Sequence, residues 1–209
     1  MWLRPKGRNG GIIIAAQDQA HNMYYHQRII MKQPIDSKCR MHCNAGEHKK
    51  HIVAGCVTFA PSKYTNKQSK VAGYIHWKVC KHMGLQVTGT YCEHMPEKVI
   101  NVNGTIVMWD VPVITDQAVL ANQPSTVLHD KKEKTCLLLD IAIPDDSNVN
   151  TKETEKLKKK IVSVIIGALG TIKKGLYQYL LLLPGQPLAI ELQKITLMSN
   201  AHSICRVLG

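Results

Sequence analysis

The stretch STVLHDKKEKTCLLLDIAIPDDSNVNTKETEKLKKKIVSVII, residues 125–166, decides the fold of this chain. Residues 125–129 and 135–143 are rich in β-branched and aliphatic side chains, which is typical of strands. The charged segment DKKEK lies between them at 130–134. This pattern predicts two antiparallel strands joined by a charged turn.

A helix and a further strand are predicted after this pair. Thr151 is a candidate N-cap for a polar helix over residues 152–160, because a threonine hydroxyl can accept a hydrogen bond from a free backbone amide. The apolar run at 161–166, closed by Gly167 and Gly170, predicts a buried strand. Strands that alternate with helices indicate an α/β domain.

The flanking sequence predicts one more hairpin and several helices. Residues 99–102 and 105–109 are β-rich runs joined by Asn103-Gly104, the dipeptide most typical of a two-residue turn. Apolar spacing and leucine content predict helices over residues 12–31, 69–83, 176–183 and 188–207.

The chain is strongly basic, and its charge is uneven. Its 209 residues include 27 lysines and arginines against 15 acidic residues, which gives a net charge of +12. Residues 1–83 have a net charge of +11, residues 84–157 have −5, and residues 158–209 have +6. A basic excess of this size indicates a polyanionic partner, either nucleic acid or an acidic membrane surface.

The sequence argues against secreted and membrane-spanning proteins. No N-terminal segment has the basic flank, apolar centre and small-residue cleavage site of a secretory signal. The apolar runs at residues 161–169 and 180–183 are too short to span a bilayer. Seven cysteines without a signal indicate a reducing compartment. We therefore expect a nuclear or cytoplasmic protein that is not secreted.

A cluster of metal-ligand residues lies in the basic N-terminal part. Cys39, Cys43, His51 and Cys56 form the pattern C-x3-C-x7-H-x4-C. Two close pairs of such ligands on a short loop suit a tetrahedral zinc site. His42 is an alternative second ligand, which would make Cys39-x2-His42 the first pair. The spacing predicts one structural zinc ion.

Three cations lie among these predicted ligands. Arg40, Lys49 and Lys50 are placed to contact the phosphates of a nucleic acid. Two weaker candidates for metal binding, each without a second pair of ligands, are His76-x3-Cys80-x-His82 and Cys92-x-His94.

Asp140 is the candidate catalytic residue. If Asp130 pairs with Thr135, antiparallel register places Ser125 opposite Asp140. Two acids at those positions would hold the Mg²⁺ of a restriction-like nuclease, but one of them is serine. Ala142 also stands where a lysine completes the usual pattern. Asp140 is therefore either a vestigial catalytic acid or a structural one.

Six segments, taken together and in order, carry a resemblance to a known family. They are AAQDQA (15–20), KQPIDSKCRM (32–41), EHKKHIVAGC (47–56), VNGTIVMWDVPVITD (102–116), LHDKKEKTCLLLDIAIPDDSNVNTKETEKL (128–157) and IIGALGTIKKGL (165–176). The chain resembles, over nearly its whole length, the C-terminal region of reverse-transcriptase polyproteins from non-LTR retrotransposons with a restriction-like endonuclease. In that family a helical region and a CCHC zinc knuckle follow the polymerase. A nuclease domain that nicks target DNA comes after them.

The resemblance implies an α/β fold in five parts, with the polymerase outside this chain. These parts are a helical segment (1–36), a CCHC zinc knuckle (37–58), a basic helical linker (59–97), a degenerate restriction-endonuclease-like α/β core (98–175) and C-terminal helices (176–209). Within the knuckle, Cys39, His51 and Cys56 match the family's ligands. The family's second cysteine falls at His42, with Cys43 next to it, and either residue can complete the tetrahedron.

The nuclease part matches the family less completely. Asp140 matches the second catalytic acid, whereas Ser125 replaces the first. A helix-length segment that carries a lysine and a tyrosine in the family is absent between residues 157 and 158. The resemblance therefore implies a degraded or truncated copy.

Three functions are compatible with this sequence. The first is a catalytically inactive fragment of the polyprotein, as the resemblance implies, that binds DNA or RNA and has no membrane partner. The second is a Mg²⁺-dependent endonuclease that nicks target DNA, in which Asp145 or Asp146 replaces the lost acid. The third is a translated relic without a function.

Overall fold

The computed structural model describes residues 8–18, 21–112, 124–157 and 162–208. Within these ranges the chain has an α/β fold, with helices before and after a five-stranded mixed sheet. The helices are α1 (Arg8–Gln17), α2 (Tyr24–Ile29), α3 (Thr65–His82), α4 (Val149–Leu157), α5 (Lys174–Leu181) and α6 (Ala189–Leu208). The strands are β1 (Val99–Val102), β2 (Thr105–Trp109), β3 (Thr126–Asp130), β4 (Thr135–Ala142) and β5 (Val162–Ile165).

The sheet has the strand order β1-β2-β3-β4-β5. The first four strands are antiparallel neighbours, and β5 lies parallel to β4 after the crossover through α4. Asn103 and Gly104 join β1 to β2, and both have positive φ, at 54° and 91°. A two-residue turn with two positive φ angles matches the right-handed twist of paired strands, and the predicted hairpin is confirmed.

The predicted pairing of β3 with β4 is also confirmed. Asp130 lies opposite Thr135, and Thr126 lies opposite Leu139. The Asp130 carboxylate accepts hydrogen bonds from the backbone amides of Lys132 and Glu133, at 2.8 and 3.1 Å, and so closes the charged turn.

Helix α4 begins earlier than the sequence predicts. Thr151 lies inside the helix, so the prediction that it is the N-cap is wrong. The Asp145 carboxylate accepts from the Ser147 amide at 3.1 Å and caps a 3₁₀ turn at Asp146–Asn148 that leads directly into α4. The predicted continuation of this helix through 158–160 and the first residue of the predicted strand, Ile161, lie outside the described residues.

The N-terminal region contains two short helices where one helix over residues 12–31 is predicted. Helix α1 ends at Gln17, and Met23 is extended, with φ −74° and ψ 151°. Met23 is 2% exposed and packs in the core, and the Tyr24 amide donates to the buried Glu47 carboxylate at 3.0 Å. Because these contacts fix an extended backbone, the helix predicted from local spacing does not continue.

One hydrophobic core extends from the predicted knuckle to α6. Its members include residues of the cysteine-rich loop, α3, the sheet and α6, among them Cys56, Ile52, Val71, Ile75, Leu139, Val164, Leu192 and Ile204. Helix α3, in the segment predicted as a linker, therefore contributes to the core, and it contacts both β4 and α6. The division into five parts stays a prediction. Within the described ranges, none of the helices combines the length and apolar character that a membrane span needs.

A buried lysine joins three parts of this core. Lys67 on α3 is 2% exposed. Its ammonium donates to the Val53 carbonyl at 2.8 Å and to Asn200 Oδ1 on α6 at 2.7 Å. The Asn200 amide in turn donates to the Ala168 carbonyl in the loop after β5. Burial lowers the pKa of Lys67 to about 8.

We predict that Lys67 makes the free energy of unfolding of this protein depend on pH in the alkaline range. Its pKa is lower in the folded chain than in the unfolded chain, so between about pH 8 and 10.5 the unfolded state binds more protons. The free energy of unfolding of the wild type should therefore rise with pH relative to Lys67→Met, by up to about 1.4 kcal/mol per pH unit. Urea unfolding of both proteins at pH 7, 8, 9 and 10 measures this difference. A difference that does not change with pH would contradict the burial of a charged Lys67.

Candidate metal centre

Four side chains predicted as metal ligands converge in the structure. Cys39, Cys43, His51 and Cys56 are all buried, and one ligand atom from each lies within 4.8 Å of the others. The Sγ atoms of Cys43 and Cys56 are 3.4 Å apart. Zinc–sulfur bonds of about 2.3 Å in a tetrahedral site place two sulfurs about 3.8 Å apart. The four residues are therefore close enough to hold one metal ion with small adjustments.

The imidazole of His51 supports this arrangement. Its Nε2 atom is buried and has no hydrogen-bond partner among the described residues. An orphaned buried nitrogen of this kind is destabilising unless something else satisfies it. Burial lowers the pKa of His51, and the neighbouring His48 lowers it further. The neutral imidazole that results is the form that binds metals.

The loop geometry brings the ligands together. An antiparallel bridge pairs Lys38 with Gly46, and the Cys39 amide donates to the Ala45 carbonyl at 2.9 Å. A π-helical turn over His51–Gly55 then places His51 and Cys56 at its two ends. The sequence spacing predicted this loop because both pairs of ligands are close in the chain.

His42 lies outside the cluster. It is exposed, and it adopts a left-handed backbone with φ 59° at the point where the loop reverses. Cys43 follows it and points inward, so the cysteine rather than the alternative His42 joins the other ligands. The Thr58 hydroxyl, 3.3 Å from the Cys43 sulfur, lowers the pKa of this thiol to about 7. Burial instead raises the pKa of the Cys39 thiol to about 11.

A buried ion pair braces the loop. Glu47 is 0% exposed, and its carboxylate accepts from the Arg40 guanidinium at 2.7 and 3.0 Å and from the Arg40 amide at 2.8 Å. The guanidinium also lies over the Tyr24 ring, 4.1 Å from its centroid. Arg40 was predicted to contact phosphate, but the structure binds its side chain to Glu47. Such a buried carboxylate needs a full set of donors, and Arg40 supplies most of them.

The other two predicted phosphate contacts lie beside acidic residues. The Lys50 ammonium donates to the Ser147 hydroxyl at 2.8 Å and lies 3.4 Å from the Asp145 carboxylate. Lys49 is half-buried, and burial lowers its pKa, although nearby Asp146, Asp145 and Asp18 act in the opposite direction. Lys50 therefore joins the loop to the turn before α4.

Asp140 stands apart from the metal-ligand clusters. It is half-buried on β4 and lies opposite Ser163 of β5. The described residues contain two groups of three or more candidate metal ligands, and neither includes Asp140. Asp146, a predicted replacement for the lost acid, accepts backbone hydrogen bonds from Leu169 at 2.6 Å and Thr171 at 3.0 Å. A Cβ atom at position 167 would overlap this carboxylate, so the Asp146 side chain lies directly against Gly167.

The second group of candidate ligands contains residues from both of the weaker sequence patterns, His76-x3-Cys80-x-His82 and Cys92-x-His94. His76 and Cys80 of the first pattern meet His94 of the second. His82 and Cys92 are exposed and stay outside the group. Sequence spacing could not reveal this group, because the loop after α3 brings His94 back to the helix.

Sequence reasoning also missed a large cleft between α3, α6 and the segment before β1. Its volume is about 830 Å³. We call it the basic cleft, because its lining includes Lys63, Lys67, Lys70, Lys194, His94 and His202, together with Tyr91 and Trp109. No aspartate or glutamate is among the described residues that line it. The spacing of Lys63, Lys67 and Lys70 at i, i+4 and i+7 was the available signal, since it places them on one helix face.

We predict that His51→Ala loses one equivalent of bound metal per chain. The variant removes the nitrogen ligand of the predicted CCHC centre, while Cys39, Cys43 and Cys56 stay in place. Elemental analysis of purified protein measures the loss against the wild type. The matched control is His42→Asn, because asparagine tolerates the positive φ at this position. This control should retain the metal, and a loss of metal in His42→Asn but not in His51→Ala would make His42 the ligand.

Neither a model of a known protein family nor a curated protein sequence matches this chain. The candidate metal centre therefore depends on the four converging ligand atoms, the orphaned His51 nitrogen and the loop that holds them.

Proposed function

We propose that this chain binds nucleic acid, as a catalytically inactive fragment of a retrotransposon reverse transcriptase and endonuclease polyprotein. In this proposal Cys39, Cys43, His51 and Cys56 hold a structural Zn²⁺, and the protein acts in the nucleus or cytoplasm. The observation that carries the proposal is the basic cleft, which has a volume of about 830 Å³ and cationic walls. The retrotransposon origin is supported by the sequence resemblance alone.

The charge of the basic cleft suits a phosphate backbone. Lys63 lines it from the π-helical turn at Ala60–Tyr64, Lys70 lines it from α3, and Lys194 lines it from α6. Lys70 is exposed, whereas the Lys194 ammonium lies 3.8 Å from Glu191. Each lysine that contacts a phosphate releases condensed counterions, so binding of this kind weakens as salt increases.

Aromatic side chains in the same cleft suit nucleobases. Tyr91 and Trp109 are half-buried lining residues. The Tyr91 ring meets the Tyr74 ring edge-on, and Trp109 meets His76 edge-on, which limits the movement of both aromatic side chains. Stacking of one base on an aromatic ring contributes about 1–3 kcal/mol to binding of single strands.

The absence of catalysis in this proposal is supported by the surroundings of the acidic residues. The Asp145 carboxylate pairs with the Lys50 ammonium and accepts a hydrogen bond from the Ser147 hydroxyl. The Asp146 carboxylate accepts a hydrogen bond from a backbone amide in the loop after β5. Both candidates for the lost acid therefore have structural partners. Ser125, at the position of the first acid, cannot supply a carboxylate to a metal beside Asp140.

We predict that the double variant Lys63→Gln/Lys70→Gln weakens binding to a single-stranded oligonucleotide. The slope of log affinity against log salt should become less steep by about 1.4, because each lost phosphate contact in a single strand contributes about 0.7. Fluorescence anisotropy at several salt concentrations measures this slope, with DNA and RNA oligonucleotides in parallel.

The matched control removes the same charge elsewhere. Lys131→Gln/Lys132→Gln changes two exposed lysines in the turn between β3 and β4, and its salt slope should stay within error of the wild type. Equal effects of the two double variants would indicate binding by net charge alone. Wild-type affinity that does not depend on salt would contradict the proposal.

We also predict that the wild type does not nick supercoiled plasmid in Mg²⁺, and that Asp140→Ala behaves identically. Conversion of supercoiled to open-circular DNA on agarose gels measures this. Mg²⁺-dependent nicking that disappears in Asp140→Ala would favour the endonuclease function instead.

A further inference from the structure

Three potential metal ligands meet behind the basic cleft, outside the predicted CCHC centre. His76 and Cys80 lie one turn apart on α3 and so share a helix face. His94 reaches them from the segment after a 3₁₀ turn at Tyr91–Glu93. One ligand atom from each residue lies within 4.8 Å of the other two.

We propose that His76, Cys80 and His94 form a second Zn²⁺ site. Zinc bonds of about 2.3 Å to sulfur and 2.0–2.1 Å to nitrogen give tetrahedral edges of about 3.6 Å for S–N and about 3.3 Å for N–N. The Cys80 Sγ atom lies 3.5 Å from His76 Nδ1, which agrees with the first edge. His76 Nδ1 and His94 Nε2 are 2.7 Å apart, so metal binding has to separate them by about 0.6 Å.

The surroundings of the three side chains permit this adjustment. His76 is 0% exposed and Cys80 is 1% exposed, so the helix holds both of them in place. The His76 ring also contacts the edge of Trp109, with 5.5 Å between the ring centroids. His94 is half-buried on a non-helical segment, and it is therefore the ligand that can move.

The charge around the group also suits a cation. The negative charge of Glu97 acts on both Cys80 and His94 and favours a cation beside them. Burial and the same charge raise the pKa of the Cys80 thiol to about 11, so the bound ion has to displace the thiol proton. A thiolate and two neutral imidazoles form a borderline-soft donor set. Such a set binds zinc in preference to magnesium or calcium. Zn²⁺ would replace the hydrogen bond between the two histidines with two metal–nitrogen bonds.

Three protein ligands leave one tetrahedral position for water or another ligand, as in catalytic rather than structural zinc sites. His94 and Trp109 both line the basic cleft, so the ion would stand at the wall of this cleft. This site is independent of the predicted CCHC centre, which lies on the loop before α3.

Elemental analysis of purified protein tests the proposal through a set of variants. We expect two zinc ions per wild-type chain, one in His94→Ala, one in His51→Ala and none in the double variant. The matched control is His82→Ala, which removes an exposed histidine two residues beyond Cys80 and should retain two ions.

Titration of the wild type and of His51→Ala with Co²⁺ gives a readout that does not depend on the fold of the His94 variant. The wild type should bind two equivalents of Co²⁺. In His51→Ala, Co²⁺ at the second site should contribute thiolate charge-transfer absorption that is lost when Cys80→Ser is added, since Cys39, Cys43 and Cys56 are the same in both proteins. A wild type that binds one equivalent, with the same count in His94→Ala, would overturn the proposal. Far-UV circular dichroism establishes that each variant is folded.

Discussion

The rest of the structure depends on one buried ammonium group. Lys67 Nζ binds the Val53 carbonyl in the turn that carries His51, and it binds Asn200 on α6. Asn200 continues the chain of hydrogen bonds to Ala168 after β5. A buried lysine is costly unless its donors are matched, so the cysteine-rich loop, α3, α6 and the end of the sheet are held in one relative position. Hydrophobic packing alone would leave that position less strictly defined.

The same ammonium group relates the basic cleft to the candidate metal centre. Lys67 lines the cleft, and its partner Val53 lies two residues after His51. His94 lines the cleft from another side and belongs to the second group of metal ligands. The cleft is therefore connected to both groups of candidate ligands.

Features set by neighbouring residues were predictable from the sequence. Asn103-Gly104 specifies its own turn, and the pairing of Asp130 with Thr135 follows from the short connection between them. The spacing of Cys39, Cys43, His51 and Cys56 likewise brought those residues together, although which metal they hold stays a prediction.

Features set by distant contacts were not predictable in this way. The break between α1 and α2 depends on Glu47, more than 20 residues away, and Glu47 also binds the Arg40 side chain that was predicted to contact phosphate. The approach of His94 to His76 has no local signal, because it depends on the path of the chain after α3. The catalytic role of Asp140 stays a prediction, because its position on β4 does not by itself establish a function. The division of the chain into five parts also stays a prediction.

The bond between Lys67 and Asn200 also has a consequence for biosynthesis. The two residues are 133 positions apart in the chain. At translation rates of about 5–20 residues per second, Lys67 is incorporated roughly 7–27 s before its partner Asn200. During that interval the cysteine-rich loop and α3 lack the helix that covers them. The nascent chain therefore exposes apolar surface during that interval, and the native contacts of α3 and the cysteine-rich loop are completed only after α6 has emerged.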